Sequence, residues 1–264
     1  MKTAVVTGAS GGMGAAAVKK LIGAGYQVFG LDIREPESEE GLTFIKTDLT
    51  DEAAVDRAAK TVEEQCACVD AVVNMAGIYG LDSLVEIPES EFIRIFSVNL
   101  FACYRVNKAF LPLLRPGGRI VIVSSELAPL DPLPFTGLYA ITKTALESYA
   151  FSLRMELQLL GHPVVVIRPG AIDTGLIGDS TRALARFCSG SKLYSCNAER
   201  FRTIVDGVET RKVPPERVAA LVSRALSAKK PKLVYKLNRN PLLLILNALP
   251  DRMQCAVIKR ILEK

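Results

Sequence analysis

The sequence predicts an α/β protein with a doubly wound parallel sheet. Val- and Ile-rich runs alternate with segments of helical periodicity along most of the chain, and such apolar runs are typical of strands buried on both faces of a parallel sheet. A glycine-rich loop, "TGASGGMG" at 7–14, joins the first run to the first helical segment. Because crossovers between parallel strands are right-handed, this alternation places helices on both faces of one sheet.

The apolar runs predict the strands, and the periodic segments between them predict the helices. The strands are expected at 3–8, 26–33, 42–48, 69–77, 118–125, 163–170 and 232–237. The helices are expected at about 15–25, 51–65, 90–114, 139–160 and 214–230. A glycine ends the first helix and a proline pair begins the last one, as is common at helix ends.

The chain is expected to form one domain. Its 264 residues are 49% hydrophobic and 23% charged, a globular composition that argues against disorder. No linker rich in Gly, Pro or Ser divides it. We therefore expect a Rossmann-type domain at 1–237, with a lid at 175–212 and a C-terminal extension at 238–264.

Cysteine and histidine usage limits the possible chemistry. The six cysteines show no C-x-x-C pairing, and no signal peptide is apparent before the first strand, so we interpret them as reduced thiols of a cytoplasmic protein. His162 is the single histidine and precedes a proline. A multi-histidine metal site is excluded, no metal is expected, and a turn is a better interpretation of His162 than a catalytic triad.

The net charge of +5 is concentrated near the C-terminus. Residues 229–264 contain nine Lys or Arg against two acids, a net charge of +7, which leaves −2 for the rest of the chain. The near-neutral body carries no basic footprint for nucleic acid, so no nucleic-acid partner is expected.

The glycine loop predicts a dinucleotide site. Gly8, Gly12 and Gly14 allow a tight turn, close approach of the backbone to a pyrophosphate, and close packing of helix on sheet. Ser10 and Met13 lie in the same loop. The phosphates would face the N-terminus of the first helix.

Asp32 ends the second predicted strand. An acid at this position accepts hydrogen bonds from the adenosine ribose hydroxyls. Because a carboxylate there repels a 2′-phosphate, NAD is the expected cofactor. Arg34 could accommodate that phosphate, which keeps NADP as the alternative.

Tyr139 and Lys143 lie one turn apart on the same face of a predicted helix. Alone, the pair is more simply an exposed contact between helical neighbours. Hydride exchange between a secondary alcohol and a nicotinamide, however, needs a group that exchanges the hydroxyl proton. A tyrosine can serve if its pKa, ordinarily ~10, is lowered, and the positive charge of Lys143 favours the phenolate.

Seven motifs, in this order, resemble those of the short-chain dehydrogenase/reductase family. They are "TGASGGMG", "DLT" (48–50), "NMAG" (74–77), "SVNL" around Asn99, "IVIVSS", "YAITK" (139–143) and "RPGAIDT" (168–174). The resemblance covers about residues 3–174 and is expected to extend in fold to residue 237.

The resemblance implies roles for individual residues. Tyr139 is the general acid/base, Lys143 also holds the nicotinamide ribose, and Asn99 anchors a proton-relay water. Ser125 hydrogen-bonds the substrate oxygen; in a strand, Ser124 would point to the opposite face and is expected to be structural. Further cofactor contacts are expected from Asp48 and Leu49 at the adenine, from Asn74, Ala76 and Gly77 on the adenosine side, and from Pro169, Gly170, Ile172 and Thr174 at the nicotinamide.

Together these features predict an NAD-dependent oxidoreductase that interconverts a secondary alcohol and a ketone, expected as a homo-oligomer. An NADP-linked carbonyl reductase is the alternative, followed by a cofactor-binding regulator on the same fold. Apolar residues in the lid suggest a hydrophobic, steroid- or lipid-like substrate, and packing of the lid on the body explains them equally well. These residues are Leu176, Ile177, Leu184, Phe187, Leu193, Tyr194 and Phe201.

The segment 238–264 lies beyond the motifs. Its apolar run "PLLLILNALP" is far shorter than the ~20 residues that cross a bilayer. Basic flanks around a short apolar segment fit an interfacial element on an anionic membrane, so peripheral membrane contact is one expectation. Leucines that cover the body or pair with another subunit are the commoner case.

Overall fold

The computed structural model describes residues 1–174, 184–195, 197, 200–204 and 212–263. Within them the strands are β1 (Lys2–Thr7), β2 (Tyr26–Asp32), β3 (Leu42–Lys46), β4 (Val69–Asn74), β5 (Leu114–Val123), β6 (Val164–Pro169) and β7 (Val234–Leu237). They form one parallel sheet in the order β3-β2-β1-β4-β5-β6-β7. The strand order reverses between β1 and β4, where doubly wound sheets bind their ligands. The predicted fold class is confirmed.

The helices cover both faces of this sheet. They are α1 (Gly12–Ile22), α2 (Glu52–Gln65), α3 (Glu89–Phe96), α4 (Ala102–Phe110), α5 (Gly137–Leu157), α6 (Glu216–Ser227), α7 (Pro241–Leu246) and α8 (Asp251–Leu262). A further helical stretch lies at 184–190, in the lid. Two boundaries correct the prediction. The helix expected at 90–114 contains a π-turn at Ser97–Phe101, and β5 begins and ends earlier than expected, so the serine pair lies beyond the strand.

Separate apolar clusters fill the two faces of the sheet. Along β1, Val5 packs on one face while Ala4 and Val6 pack on the other, as alternation along a strand requires. The cluster that contains Ala4 and Val6 lies under α1 and α6, and the cluster that contains Val5 lies under α2, α4 and α5. Fully burying one such side chain contributes ~1.5–3 kcal/mol. The two layers therefore hold the strand ends, and the site they carry, in fixed positions.

The C-terminal extension folds back on the domain. Asp131 N donates to Asn247 Oδ1 at 2.6 Å, and Gln254 Nε2 donates to Asp131 Oδ2 at 3.1 Å. On α8, Leu262 is buried and Ile258 is partly buried against the lid. The inner face of α8 thus packs on the body, whereas Leu242 and Ile245 of the apolar run are 65% and 64% exposed. None of the helices in the described part of the chain is long and apolar enough to cross a membrane.

Candidate active site

The glycine loop lies at the carboxyl ends of the central strands. Gly8 directly follows β1 and has a φ of +69°, and a Cβ there would lie 2.9 Å from the backbone N of Ala76. A Cβ at Gly14 would lie 1.9 Å from the carbonyl O of Gly8. Glycine is therefore required at both positions, at Gly8 for the left-handed turn and at Gly14 for close packing of α1 on the loop.

The N-terminus of α1 can receive an anion. Its N-cap residue is Gly11, which has no side chain to cap the helix, and the first turn contains no acidic residue. The first N–H groups of a helix have no partner within the helix, so those of Gly12, Met13 and Gly14 can donate to a phosphate. This end of the helix fits the pyrophosphate of a dinucleotide.

Asp32 lies beside the glycine loop, as the sequence predicts. Its Oδ2 accepts a hydrogen bond from Ser10 N and its Oδ1 accepts one from Arg34 N, both at 3.1 Å. The Ser10 hydroxyl donates to the Arg34 carbonyl. These bonds fix the carboxylate at the end of β2, while the Arg34 side chain remains exposed.

The residues expected on the adenosine side differ in what they present. Asp48 is exposed, and its Oδ1 accepts a hydrogen bond from Thr50 N at 2.8 Å. Leu49 is 8% exposed and belongs to the core under α2, α4 and α5. Asn74 Nδ2 donates to Asn107 Oδ1 at 2.8 Å. Leu49 and Asn74 thus use their side chains within the body.

Ala76 and Gly77 lie between the end of β1 and the pair Asn99 and Lys143. Ala76 N donates to Thr7 Oγ1 at 3.1 Å. A Cβ on Gly77 would lie 3.3 Å from Asn99 Oδ1 and 3.4 Å from Lys143 Nζ. The "NMAG" segment therefore lies directly against two of the expected catalytic residues.

The structure brings Ser125, Tyr139 and Lys143 together. The Ser125 side chain lies close enough to Tyr139 to lower its pKa, and Lys143 Nζ lies 5.7 Å from the centre of the Tyr139 ring. Lys143 Nζ also donates to the carbonyl of Val123 at 3.3 Å. Both serines follow the last residue of β5, but Ser124 N and Glu126 N still donate to Ile167 O and Pro169 O of β6, each at 2.8 Å, so the extended pairing continues through the serine pair. The Ser124 hydroxyl is buried and has no hydrogen-bond partner among the described residues.

Burial dominates the ionisation of the pair. It raises the pKa of Tyr139 to about 12, against a smaller lowering by the Ser125 side chain, and it lowers the pKa of Lys143 to about 8. The expected lowering of the Tyr139 pKa is therefore wrong when only the protein's own groups act on it. The lysine is itself desolvated, and the phenolate loses more hydration on burial than its neighbours replace.

Asn99 is held in the π-turn by three hydrogen bonds. Its Oδ1 accepts from Ile78 N at 2.8 Å, and its Nδ2 donates to Ile78 O at 2.9 Å and to Thr142 Oγ1 at 3.0 Å. Thr142 in turn donates to the carbonyl of Tyr139 at 2.8 Å. The Asn99 side chain therefore positions the loop after β4 against α5.

The loop after β6 begins with Pro169 and Gly170. The Pro169 carbonyl accepts a hydrogen bond from Glu126 N at 2.8 Å, and Gly170 N donates to Leu237 O at 2.8 Å. These bonds join the loop to the segment that carries the catalytic serine on one side and to β7 on the other.

The same loop closes over the start of α1. Ile172 is 5% exposed and forms a β-bridge with Val213. Thr174 lies against the glycine loop, because a Cβ at Gly12 would approach the Thr174 side chain to 2.9 Å. Thr174, which is expected to contact the nicotinamide, therefore lies next to the N-terminus of α1.

Sequence reasoning missed three residues of this site. Thr142 links Asn99 to α5 as described, and Glu126 is 6% exposed next to the catalytic serine. The ring of Tyr79 lies 4.7 Å from the ring of Tyr139. Thr142 and Glu126 adjoin motif residues and could have been selected for that reason, whereas no signal in the sequence marks Tyr79.

The described lid residues pack on the body. Three of them are only 2–3% exposed: Leu184, Phe187 and Phe201. The Phe187 ring lies 4.4 Å from that of Phe135, on the loop before α5. The packing interpretation is correct for these residues, while Leu193 is exposed. Leu176 and Ile177 lie outside the described residues.

A cavity of about 330 Å³ lies between the lid, α3 and the loop after β4. Its lining is mixed: it includes Tyr79, Leu81, Ile95, Leu138, Phe187, Asp82, Glu86 and Arg186. Because Tyr79 lines the cavity and also packs on Tyr139, the cavity lies one side chain away from the catalytic tyrosine.

No group of three or more His, Cys, Asp or Glu that could hold a metal ion occurs among the described residues. Cys66, Cys68, Cys103 and Cys255 are free thiols. Burial raises the pKa of Cys103 to about 12, so this thiol stays protonated and unreactive at neutral pH.

The open N-terminus of α1 and the buried tyrosine–lysine pair face one crevice, at the point where the strand order reverses. This arrangement defines a dinucleotide-dependent oxidoreductase. The family model described as short chain dehydrogenase matches residues 2–184, and the chain belongs to that family.

Relatives and a solved structure extend the match over the whole chain. The NADPH-dependent 3-dehydrocapnine reductase of Ornithobacterium rhinotracheale is 31% identical over 286 residues, covering 100% of this chain and 98% of that protein. Estradiol 17-beta-dehydrogenase 2 of Mus musculus is 38% identical over 190 residues, covering 67% of this chain and 50% of that protein. A short-chain dehydrogenase from Streptomyces avermitilis has a TM-score of 0.78 at 26% identity, covering 98% of this chain and 95% of that structure. The protein is therefore an oxidoreductase of the alcohol–ketone type that uses NAD(P).

Proposed function

We propose that this protein is an NAD-dependent oxidoreductase that interconverts a secondary alcohol and a ketone on a hydrophobic, steroid- or lipid-like substrate. Tyr139 is the general acid/base. The observation that carries the proposal is the buried Lys143 beside the Tyr139 ring, with Ser125 next to the same tyrosine. An exposed contact between helical neighbours does not explain the pair, because Lys143 is only 5% exposed.

The protein groups divide the chemistry between them. During oxidation, the Tyr139 phenolate accepts the hydroxyl proton as the substrate carbon gives up a hydride and the C=O bond forms. During reduction, the Tyr139 hydroxyl returns that proton to the carbonyl oxygen, which Ser125 holds by a hydrogen bond. The positive charge of the Lys143 ammonium acts against the burial that raises the Tyr139 pKa, and so favours the phenolate during turnover. The nicotinamide, when bound, supplies the hydride acceptor or donor.

The cofactor would be held by groups that the structure leaves available. The N–H groups of Gly12, Met13 and Gly14 would donate to the pyrophosphate. Asp32 would accept from the adenosine ribose hydroxyls and repel a 2′-phosphate, which supports NAD. The exposed Arg34 and the NADPH dependence named for one relative support NADP as the alternative.

The substrate class rests on the cavity next to Tyr79. Part of its wall is apolar, as a hydrophobic substrate requires. A relative named as an estradiol dehydrogenase shares 38% identity over two thirds of this chain. This similarity supports a substrate with a bulky ring system, or with a hydrocarbon chain whose apolar area is similar to that of such a ring system.

The test is turnover across a graded panel. NAD reduction would be measured with secondary alcohols of increasing size and hydrophobicity, and the reverse reaction with the matching ketones. We expect kcat/KM to rise with apolar area and to fall again once the cavity is filled. Binding of NAD or NADP without turnover of any panel member in either direction would favour a cofactor-binding regulator.

We also propose a homo-oligomer. Three large apolar side chains on α4 and α5 are about half exposed: Tyr104, Phe151 and Met155. Such concentrations of exposed apolar surface mark contacts between subunits. Sedimentation velocity should show an assembly larger than one chain, and Phe151→Glu should reduce its mass.

A further inference from the structure

The C-terminal helix α8 has one apolar face packed on the body and one facing outward. Gln254 and Leu262 are 6% and 8% exposed on the inner face. Met253, Val257 and Ile261 are spaced four residues apart, which places them along one stripe of the helix. They are 52%, 38% and 52% exposed, so within the described part of the chain this stripe is largely uncovered.

The short helix α7 adds to the same kind of surface. Leu242 and Ile245 are 65% and 64% exposed. Asn240 caps the helix, because its side chain accepts a hydrogen bond from Leu242 N at 2.9 Å. Single exposed apolar residues are ordinary, whereas residues 242–261 expose five large ones on two successive helices, and exposed apolar surface of this extent is typical of interaction sites. We call Leu242, Ile245, Met253, Val257 and Ile261 the tail face.

The surroundings of the tail face are basic. Arg252, Lys259 and Arg260 are exposed on α8 itself. Of the two acids in this segment, Asp251 and Glu263, the second is paired with Lys259 at 3.6 Å. The cationic surroundings are complementary to the negative surface of an anionic bilayer.

The same charges argue against a second copy of the chain as the occupant. A twofold contact sets one patch against itself, so it would bring Arg252 and Arg260 of one copy close to those of the other. Like charges juxtaposed across an interface oppose association. The charge pattern therefore favours an anionic lipid surface.

The inner face of α8 connects this surface with the catalytic site. Ile258 and Leu262 pack in a cluster that includes Tyr79, Leu81 and Phe187. These last three residues also line the cavity beside the catalytic tyrosine. One layer of side chains therefore lies between α8 and the cavity.

We propose that the tail face docks this enzyme on an anionic lipid surface, where a ketone or alcohol dissolved in the bilayer reaches the cavity beside Tyr139 from the membrane side. The helices lie in the interface and do not span it. Delivery of substrate rests on the proposed function, whereas docking stands independently of it.

Co-sedimentation with vesicles tests the docking. The full chain would be mixed with vesicles of phosphatidylcholine alone or with phosphatidylglycerol added, at low and high salt. The test variant is Val257→Glu with Ile261→Glu. The matched control is Leu159→Glu with Leu160→Glu, two leucines that are 83% and 64% exposed in the turn after α5.

We expect wild type and control to bind the anionic vesicles equally and to be partly released by salt. The test variant should bind at least ~10-fold more weakly, since it places two charges where apolar side chains would be buried. Arg252→Glu with Arg260→Glu should lose the preference for anionic vesicles. Wild type that stays in the supernatant with both vesicle types overturns the proposal. It is also overturned if the test variant binds vesicles as tightly as wild type does. A third contrary result is that wild type binds no vesicles while the test variant forms a lighter assembly, which would make the tail face a contact between subunits.

Turnover of a small water-soluble ketone without vesicles separates the two proposals. Equal turnover by wild type and by the test variant shows that the variant folds, so that its weaker vesicle binding supports docking. If neither protein turns over any ketone, the proposed function fails, and the vesicle result still decides the docking.

Discussion

Glu126 accepts a hydrogen bond from the backbone N of Asn240 at 2.7 Å. Glu126 directly follows the catalytic Ser125, and its own N donates to the Pro169 carbonyl at 2.8 Å. Its Oε1 lies close to the loop after β6, since a Cβ at Gly170 would approach it to 2.7 Å. One buried carboxyl group thus joins three segments: the one that carries Ser125, the loop expected at the nicotinamide and the start of the tail.

Glu126→Ala should lower the free energy of unfolding by ~2 kcal/mol, because it removes the hydrogen bond that the partly buried N–H of Asn240 makes to a carboxylate. Urea denaturation at pH 7 measures this change. Glu63→Ala, at an exposed position on α2, is the control and should change stability by less than ~0.5 kcal/mol. A similar small change for both variants would show that the contact with the tail contributes nothing to the fold.

Glu126→Gln should change the pH dependence of stability. Burial raises the pKa of Glu126 above its ordinary value of 4.5, and the Asn240 hydrogen bond and Arg239 only partly oppose this. A raised pKa means that the fold favours the neutral carboxyl. The stability it contributes is fully present below pH 4.5 and is lost as pH rises through the raised pKa.

The unfolding free energy of wild type, relative to Glu126→Gln, should therefore fall as pH rises from 4 to 8. Denaturation midpoints for both proteins at several pH values provide the measurement. A constant difference over this range would mean that folding does not shift the ionisation of this carboxyl.

Most of the fold could be predicted from the sequence because the central strands β1, β4 and β6 are almost fully buried. A run such as Val69–Asn74 leaves no polar face, so its apolar residues mark it as a central strand of a parallel sheet. The boundaries of β5 were harder to predict. Its N-terminal half, from Leu114, contains exposed residues, a proline and two glycines, which carry no apolar signal.

The proximity of Tyr139 and Lys143 was predicted from a motif, and the electrostatics of the pair were not. "YAITK" placed Tyr139 and Lys143 on one face, and the structure brings Ser125 to the same place. Neither the desolvation that raises the tyrosine pKa nor the contact with Tyr79 depends on neighbours in sequence. Both depend on which elements pack together, so a local pattern does not contain them.

Tyr139→Phe should reduce turnover by ~10³-fold, because it removes the hydroxyl that exchanges the substrate proton. NAD affinity and thermal stability should stay close to wild type, since the ring is retained. Tyr104→Phe, on the exposed side of α4, is the control and should remain fully active. Near-normal turnover by Tyr139→Phe with a good substrate would contradict the assigned role.

NAD affinity should weaken as pH rises past the pKa of Lys143. Burial lowers this pKa to about 8, so the ammonium that would hold the nicotinamide ribose is present below pH 8 and lost above it. If only the ammonium form binds well, the Kd should rise about tenfold between pH 7 and pH 9. Titration calorimetry measures it, and Lys143→Ala should show a weaker affinity without this pH step. A pH-independent Kd for wild type would exclude the lysine as a cofactor contact.

Asp32→Ala should relax the preference for NAD over NADP. The carboxylate is held at the end of β2 by hydrogen bonds from Ser10 N and Arg34 N, so it would meet the 2′-hydroxyl as an acceptor and a 2′-phosphate as a like charge. Its removal loses one charge-assisted hydrogen bond, ~1.5–3 kcal/mol, from NAD alone, and it removes repulsion from NADP alone. The ratio of kcat/KM for NAD to that for NADP should therefore fall at least ~10-fold in the variant. Arg34→Ala is the paired variant and should weaken NADP use while leaving NAD use unchanged. A wild type that already prefers NADP, with that preference lost in Arg34→Ala, would make the exposed arginine the residue that selects the cofactor.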